Sequence, residues 1–300
     1  MPKSRPTKPG AERSRFKPDR ILSFNVDKTG GELLEFLRRA MPDQKRTTVK
    51  DFLKHRQVMV NNSVTTQWDF ALQPGDIVRV NTSREFQVFS HHRLQIVYED
   101  DDIIVVNKGY GLLSIGTDSK STGTAYWILR DYLKRKDPRN KLFIVHRLDQ
   151  HTSGLMMFAK SPQVKEAMQH NWNNMVISRK YVALVEGIVE QDEGEIRSML
   201  EENSAFKVYS SKEGTGKMAV TRYKVLRRFQ GNTLVEFELD TGRKNQIRVH
   251  ASDMGHPIVG DVKYGGHVSR LHRLALHAQT LRFAHPRTRR DMHFVSDIPW

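Results

Sequence analysis

The chain has 300 residues, 38% of them hydrophobic, and carries 49 Lys and Arg against 34 Asp and Glu, a formal net charge of +15. That length suggests about two domains, and that charge favours a polyanionic partner, nucleic acid ahead of a membrane surface. The absence of cysteine excludes disulfides, thiol nucleophiles and cysteine-ligated zinc; with no secretory apolar segment and no run near the roughly 18 residues that span a bilayer, a soluble cytoplasmic protein is expected.

Residues 1–20 are basic and broken by Pro2, Pro6, Pro9 and Pro18, which reads as a disordered tail. Residues 21–82 read as a small unit. Leu33, Leu34, Phe36 and Leu37 have helical spacing. A second helix, capped by Thr47 or Thr48, sets Val49, Phe52 and Leu53 on one face beside Lys50, Lys54, His55 and Arg56. Val58–Val60 is a strand running into an Asn61-Asn62 turn, Pro74-Gly75-Asp76 is a turn, and Ile77–Val80 is a closing strand. Two helices followed by V-x-V-N-N and P-G-D-x-V-x-V resemble the S4 RNA-binding module. The resemblance implies that Lys50, Lys54, His55 and Arg56 face RNA. Arg56 stands where that module often has Gly, and Thr47-Thr48 where it has Ser-Arg.

Residues 83–93 read as a linker and 94–300 as the second domain. Leu94–Glu99 and Ile103–Lys108 are strands around an Asp100-Asp101-Asp102 turn, and a helix is expected over 121–134, capped by Ser121 or Thr122. The Gly116–Gly123 loop lacks the G-K-[ST] ending of a phosphate loop, so no nucleotide site is placed there. Residues 161–176 read as helical, 177–189 as a strand, 191–216 as a surface excursion, 220–226 and 233–239 as strands, 243–251 as helical, and the last strands surround 274–277 and 281–283.

Two apolar runs, Leu142–Val145 and Leu155–Ala159, enclose the polar stretch His146-Arg147-Leu148-Asp149-Gln150-His151-Thr152-Ser153-Gly154. This reads as two buried strands joined by a tight loop that presents Asp149. By itself an Arg147–Asp149 pair reads as a structural ion pair pinning the loop; an ionised acid at a strand end is equally what covalent or acid–base chemistry uses. Ser153 lacks the G-x-S-x-G setting of a serine nucleophile.

Six stretches decide between these readings: H-R-L-D-Q-H-T-S-G-L at 146–155, R-K-Y-V-A-L-V-E-G at 179–187, G-K-M-A-V-T at 216–221, Q-I-R-V-H at 246–250, G-H-P-I-V-G-D at 255–261 and R-L-A-L-H-A at 273–278. In this order they resemble the RluA family of RNA pseudouridine synthases. Gly109 replaces the Pro usual after Asn-Lys, and Asn245 the His usual before Gln-Ile-Arg. The resemblance implies an α+β fold with a mixed, mostly antiparallel central sheet and flanking helices. It implies isomerisation of uridine to pseudouridine in structured RNA by an aspartate carboxylate and base flipping, with ribosomal RNA favoured and tRNA the alternative. Asp149 would be catalytic and paired with Arg248, Tyr181 would abut the uracil, Ile247 would pack on the base, and Arg147 would take the flipped nucleotide's place or hold phosphate. No cofactor and no metal is expected, and a monomer is. The 13 His are assigned structural or RNA-facing roles. The competing classes are a non-catalytic RNA-binding protein on the same fold and a glycosidase or nuclease using the same carboxylate.

Overall fold

The computed structural model of the chain describes residues 20–27, 30–61, 63–86, 88–116 and 122–300. All of the expected basic tail except Arg20 lies outside the described residues, as do Asn62 and Ser121. The chain divides into two compact units: residues up to Val88 with Arg135–Arg139, and Phe89–Lys134 with Asn140–Trp300.

In the first unit β1 (Ile21–Asn25), β6 (Ile77–Asn81), β3 (Val58–Val60) and β4 (Ser63–Val64) form an antiparallel sheet in that order, and β2 (Gly31–Glu32) pairs with β5 (Ala71–Leu72). Helices α1 (Leu33–Ala40) and α2 (Arg46–Lys54) bury Leu33, Leu37, Val49 and Leu53 against Val58, Val78 and Val80. The threonine cap expected for α2 does not form. The helix begins at Arg46, Lys45 holds the cap position, and Thr47 and Thr48 lie within the first turn. Burial of Val49, Phe52 and Leu53 sets the helix register, and no side chain caps it. Lys50 in the middle of this helix, Lys54 at its last position, and His55 and Arg56 just beyond it are all exposed. Arg56 has φ 56°, a left-handed conformation that glycine adopts without strain, which is the physical sense of the module's usual Gly at this place.

The second unit is built on an eleven-stranded sheet. Its path is β13 (Val208–Ser210), β12 (Glu193–Glu202), β14 (Lys217–Phe229), β15 (Asn232–Leu239), β11 (Val176–Glu186), β16 (Leu276–Ala284), β10 (Ser153–Ala159), β8 (Ile103–Lys108) and β7 (Leu94–Glu99); β17 (Asp291–Val295) pairs with β16, and β9 (Phe143–Ile144) with β10. Every ladder is antiparallel except β10–β16. The fold is therefore α+β with a mixed, mostly antiparallel sheet. Helices α3 (Ala125–Lys136), α4 (Pro162–His170), α5 (Trp172–Met175) and α6 (Gln246–Asp253) complete the unit. The sheet buries both faces. Ile104, Val106, Met156 and Phe158 enter one core, and Ile103, Val105, Leu155 and Met157 the other, as a period of two requires.

Three expectations for this unit are corrected. Helix α3 starts at Ala125, because the Thr124 hydroxyl accepts the Trp127 N–H at 3.2 Å and caps the helix there. Residues 191–216 are no excursion: they supply β12 and β13, whose side chains stay largely exposed at the sheet edge and so hide the ladder from a hydropathy reading. Leu276–His277 and Leu281–Phe283 lie in one continuous strand, β16, with Leu274 and Ala275 just ahead of it.

The parallel β10–β16 junction places the site. Gly154 has φ 119°, and a Cβ built there would lie 2.3 Å from the Ala278 carbonyl oxygen, so only glycine allows the backbones to close. The loop that enters β10 is thereby fixed against the start of β16.

Candidate active site

The loop His146–Thr152 is braced from behind by short hydrogen bonds. The Ser114 hydroxyl donates to Leu148 O at 2.6 Å and accepts the Leu148 N–H at 3.1 Å, Gly111 N–H donates to Gln150 O, and Gln150 Nε2 donates to Gly111 O. Lys108 is fully buried beneath it, with Nζ donating to the carbonyls of Leu112 at 2.8 Å, Gln150 at 3.2 Å and Gly109 at 3.3 Å. The backbone that carries Asp149 is thus held while its carboxylate stays clear: among the described residues that carboxylate has no hydrogen bond or ion pair. It opens into a cleft of about 590 Å³ that Arg147, Tyr181, Ile247 and Arg248 also line.

These residues come from three elements: the loop between β9 and β10 carries Arg147 and Asp149, β11 carries Tyr181, and α6 carries Ile247 and Arg248. Tyr181 sits on β11, where the pairing with β16 shifts register between Lys180 and Tyr181; such an irregularity re-aims a side chain. Ile247 and Arg248 open α6. The helix start is set by Gln246, whose amide accepts from the Thr241 hydroxyl and the Arg243 N–H and donates to Val220 O and the Thr221 hydroxyl, using its full capacity. Asn245, before it, has φ 54°, a conformation Asn tolerates better than most side chains.

The expected Asp149–Arg248 pair does not form. Arg248 grips Asp261 with two hydrogen bonds, Nε to Oδ2 at 2.7 Å and NH2 to Oδ1 at 2.6 Å, donates to Asn245 Oδ1 at 3.1 Å, and lies over the Tyr264 ring at 4.8 Å. A two-pronged carboxylate fixes a guanidinium better than a single cleft-facing acid can. Arg248 therefore acts on Asp149 through space. The Arg147–Asp149 ion pair is also absent: Arg147 is exposed and acts only as a nearby charge.

Electrostatics at Asp149 balance two large effects. Burial pushes its carboxyl above the ordinary aspartate value, and the charges of Arg248, Arg147, Lys108 and Lys244 oppose this, Arg248 most. Burial likewise raises the Tyr181 phenol; Arg179 opposes it and Asp149 adds to it. Burial lowers Lys108 to about 7, with Asp149 pulling the other way. Asp261 and Lys108 were not singled out by the sequence reading. Both stand next to glycines in matched or near-matched stretches, but nothing local reveals that one would receive Arg248 and the other underlie the loop.

His146 is no candidate for proton transfer. Its Nε2 accepts the Met157 N–H at 3.1 Å, and burial holds its pKa near 3. Among the described residues, the His and Asp side chains close enough to share a cation are Asp100, Asp102 and His285, and they are already engaged: Arg287 holds Asp102, while Tyr98 and two backbone amides hold Asp100.

The sequence pattern of RNA pseudouridylate synthases matches residues 102–253, which contain Asp149, Tyr181 and Arg248. The chain belongs to the RNA pseudouridylate synthase family. It is 37% identical to an RNA pseudouridine synthase of Bacillus subtilis, YlyB, over 88% of this chain and 89% of that one. It is 34% identical to ribosomal large subunit pseudouridine synthase D of Neisseria meningitidis, over 93% and 78% respectively. Among solved structures it resembles human RNA pseudouridylate synthase domain containing 4, with TM-score 0.57 and 25% identity, covering 68% of this chain and 88% of that one. The sheet of the second unit is thus that of an RNA pseudouridine synthase, an isomerase acting on uridine in RNA.

Proposed function

We propose that Asp149 is the catalytic carboxylate and that the substrate is ribosomal RNA, with the target uridine flipped into the Asp149 cleft. The observation that carries the reading is the unpaired carboxylate on a braced loop. It is desolvated, which raises its pKa, faces cations whose charges oppose that rise, and is open to a cleft large enough for a nucleotide. In the reaction the N1–C1′ bond breaks, uracil rotates, C5–C1′ forms, and the proton at C5 is lost while N1 gains one, so no atom is added. Asp149 acts at C1′ or an adjacent proton, Tyr181 and Ile247 flank the base, and Arg147, exposed at the mouth, occupies the stack the base leaves or holds a phosphate. Extrusion costs a few kcal/mol and less in a loop, which favours single-stranded or bulged RNA.

The ribosomal substrate is supported by the names of the large-subunit relatives. The first unit acts as an S4-like RNA-binding domain through Lys50, Lys54, His55 and Arg56. The test is pseudouridine mapping of cellular RNA incubated with the wild type and with Asp149→Ala. New pseudouridine in ribosomal RNA made only by the wild type is the expected result. Identical maps remove the catalytic role, and modification confined to tRNA removes the ribosomal assignment. Free uracil or strand scission would turn the reading toward a glycosidase or nuclease.

A further inference from the structure

A second cleft, of about 560 Å³, shares no lining residue with the first. Leu276 lines the Asp149 cleft and the next residue of β16, His277, lines this one, so the two clefts take opposite sides of the same strand. Its wall holds Arg93 and Arg273. Neither guanidinium has a carboxylate partner among the described residues. Arg273 is half-buried, its guanidinium set between the rings of Tyr110 at 5.1 Å and Trp300 at 5.0 Å, and it donates to the Ser153 hydroxyl at 2.6 Å and to Leu274 O. Burial weakens its hold on its proton. An uncompensated, partly desolvated cation is costly, and a rigidly stacked one is matched to an incoming anion.

The Arg93 backbone is held by Gly109, one of the two positions named above at which the chain departs from the pattern it resembles. Gly109 N–H donates to Arg93 O at 2.8 Å, and a Cβ on Gly109 would lie 3.0 Å from that oxygen. The Pro usual there has no N–H to give. The segment before Arg93 turns in with it: His91 Nδ1 accepts the Arg93 N–H, His92 Nε2 accepts from Arg93 Nε, and the two imidazoles stack at 4.7 Å. Asp297, exposed, is the one acid in the lining among the described residues. Two guanidiniums without a carboxylate partner among the described residues, set beside flat rings, are the elements with which proteins hold a strand's phosphates and bases.

We infer that this second cleft binds a backbone phosphate of the RNA substrate, outside the nucleotide being isomerised, with Arg93 and Arg273 as its ligands. The inference rests on the RNA-modifying activity. The experiment uses the full chain, Arg93→Ala and Arg273→Gln, and measures RNA affinity against salt together with pseudouridine formation on a long RNA and on one trimmed close to the target uridine. Each substitution should weaken long-RNA binding several-fold, reduce the slope of log affinity against log salt by about 0.7, raise KM more than it lowers kcat, and lose most of its effect on the trimmed RNA. Unchanged affinity and slope in both variants, or an equal defect on both RNAs, overturns it. Arg93 is exposed, so its variant decides the matter even where Arg273→Gln unfolds. Inorganic phosphate separates the sources of the anion: competition with RNA that vanishes in the variants agrees with a phosphodiester site, whereas phosphate binding that leaves RNA affinity untouched assigns the cleft to a small anion and overturns it. Wild-type protein that makes no pseudouridine fails the underlying activity instead.

Discussion

Asp261→Asn isolates the buried pair beside the Asp149 loop. The Arg248 side chain is 11% exposed and that of Asp261 is 0% exposed, so removing the negative charge strands a desolvated guanidinium. Breaking a buried pair from one side costs about 3–5 kcal/mol. Arg248 keeps its bond to Asn245 Oδ1 and its seat over Tyr264, which places the loss near the lower end, about 3 kcal/mol. In a unit of about two hundred residues each kcal/mol moves the melting temperature by about 2–4 °C, so thermal unfolding followed by circular dichroism should show a fall of about 6–12 °C. The double variant Arg248→Met/Asp261→Leu removes both charges and should recover most of that stability while losing turnover, since Asp149 then lacks its strongest cationic neighbour. A shift below 2 °C for Asp261→Asn, or a double variant no more stable than the single one, would refute the assignment of Arg248 to Asp261.

Asp149→Asn should abolish turnover yet melt higher than the wild type at pH 7. Its folded pKa is raised, so between the unfolded and folded values the native state binds more protons, stability falls as pH rises through that window, and above it the full penalty persists. The difference between the two proteins should shrink toward pH 3, and a lower melting temperature at pH 7 would contradict it. Lys108 has the opposite sign: its folded pKa of about 7 lies below the unfolded value of 10.5, so the unfolded state binds more protons between them and this group's contribution grows as pH rises from 7 to 10. Lys108→Met should lose that rise and move the acidic limb of the pH–rate profile upward, because Asp149 loses a positive neighbour; an unmoved limb would count against the coupling. Arg56→Gly should raise stability by up to about 1 kcal/mol by relieving φ 56° while weakening RNA binding, and changes of the same sign in unfolding and filter-binding assays would deny one of its two roles. Gly154→Ala should leave little soluble protein, since the added Cβ meets the β16 backbone; near-wild-type expression and melting would show that the β10–β16 contact yields.

Local pattern carried much of this protein. Leu33, Leu34, Phe36 and Leu37 marked α1 by spacing, the Pro74-Gly75-Asp76 turn announced itself by composition, and the apolar runs around 146–153 foretold a polar loop between β9 and β10. Where the sequence misled, a nonlocal effect decided. The α2 start follows the burial of Val49 and not the threonine hydroxyls, and β12 and β13 are held by ladders to β14 and to each other that their exposed side chains do not advertise.

The same division runs through the site. Short stretches that resemble the family brought forward Asp149, Arg147, Tyr181, Ile247 and Arg248, because each lies in an unbroken local run of residues that a reading along the chain can match. Their pairing was decided in three dimensions. Asp261, thirteen residues beyond Arg248, takes the guanidinium; Lys108, from β8, lies under the Asp149 loop; and Gly109 hands its N–H to Arg93. A sequence records which groups are present and which are neighbours along the chain. Only the folded sheet, by fixing distances between strands far apart in sequence, determines which charge meets which and which carboxylate is left without a partner.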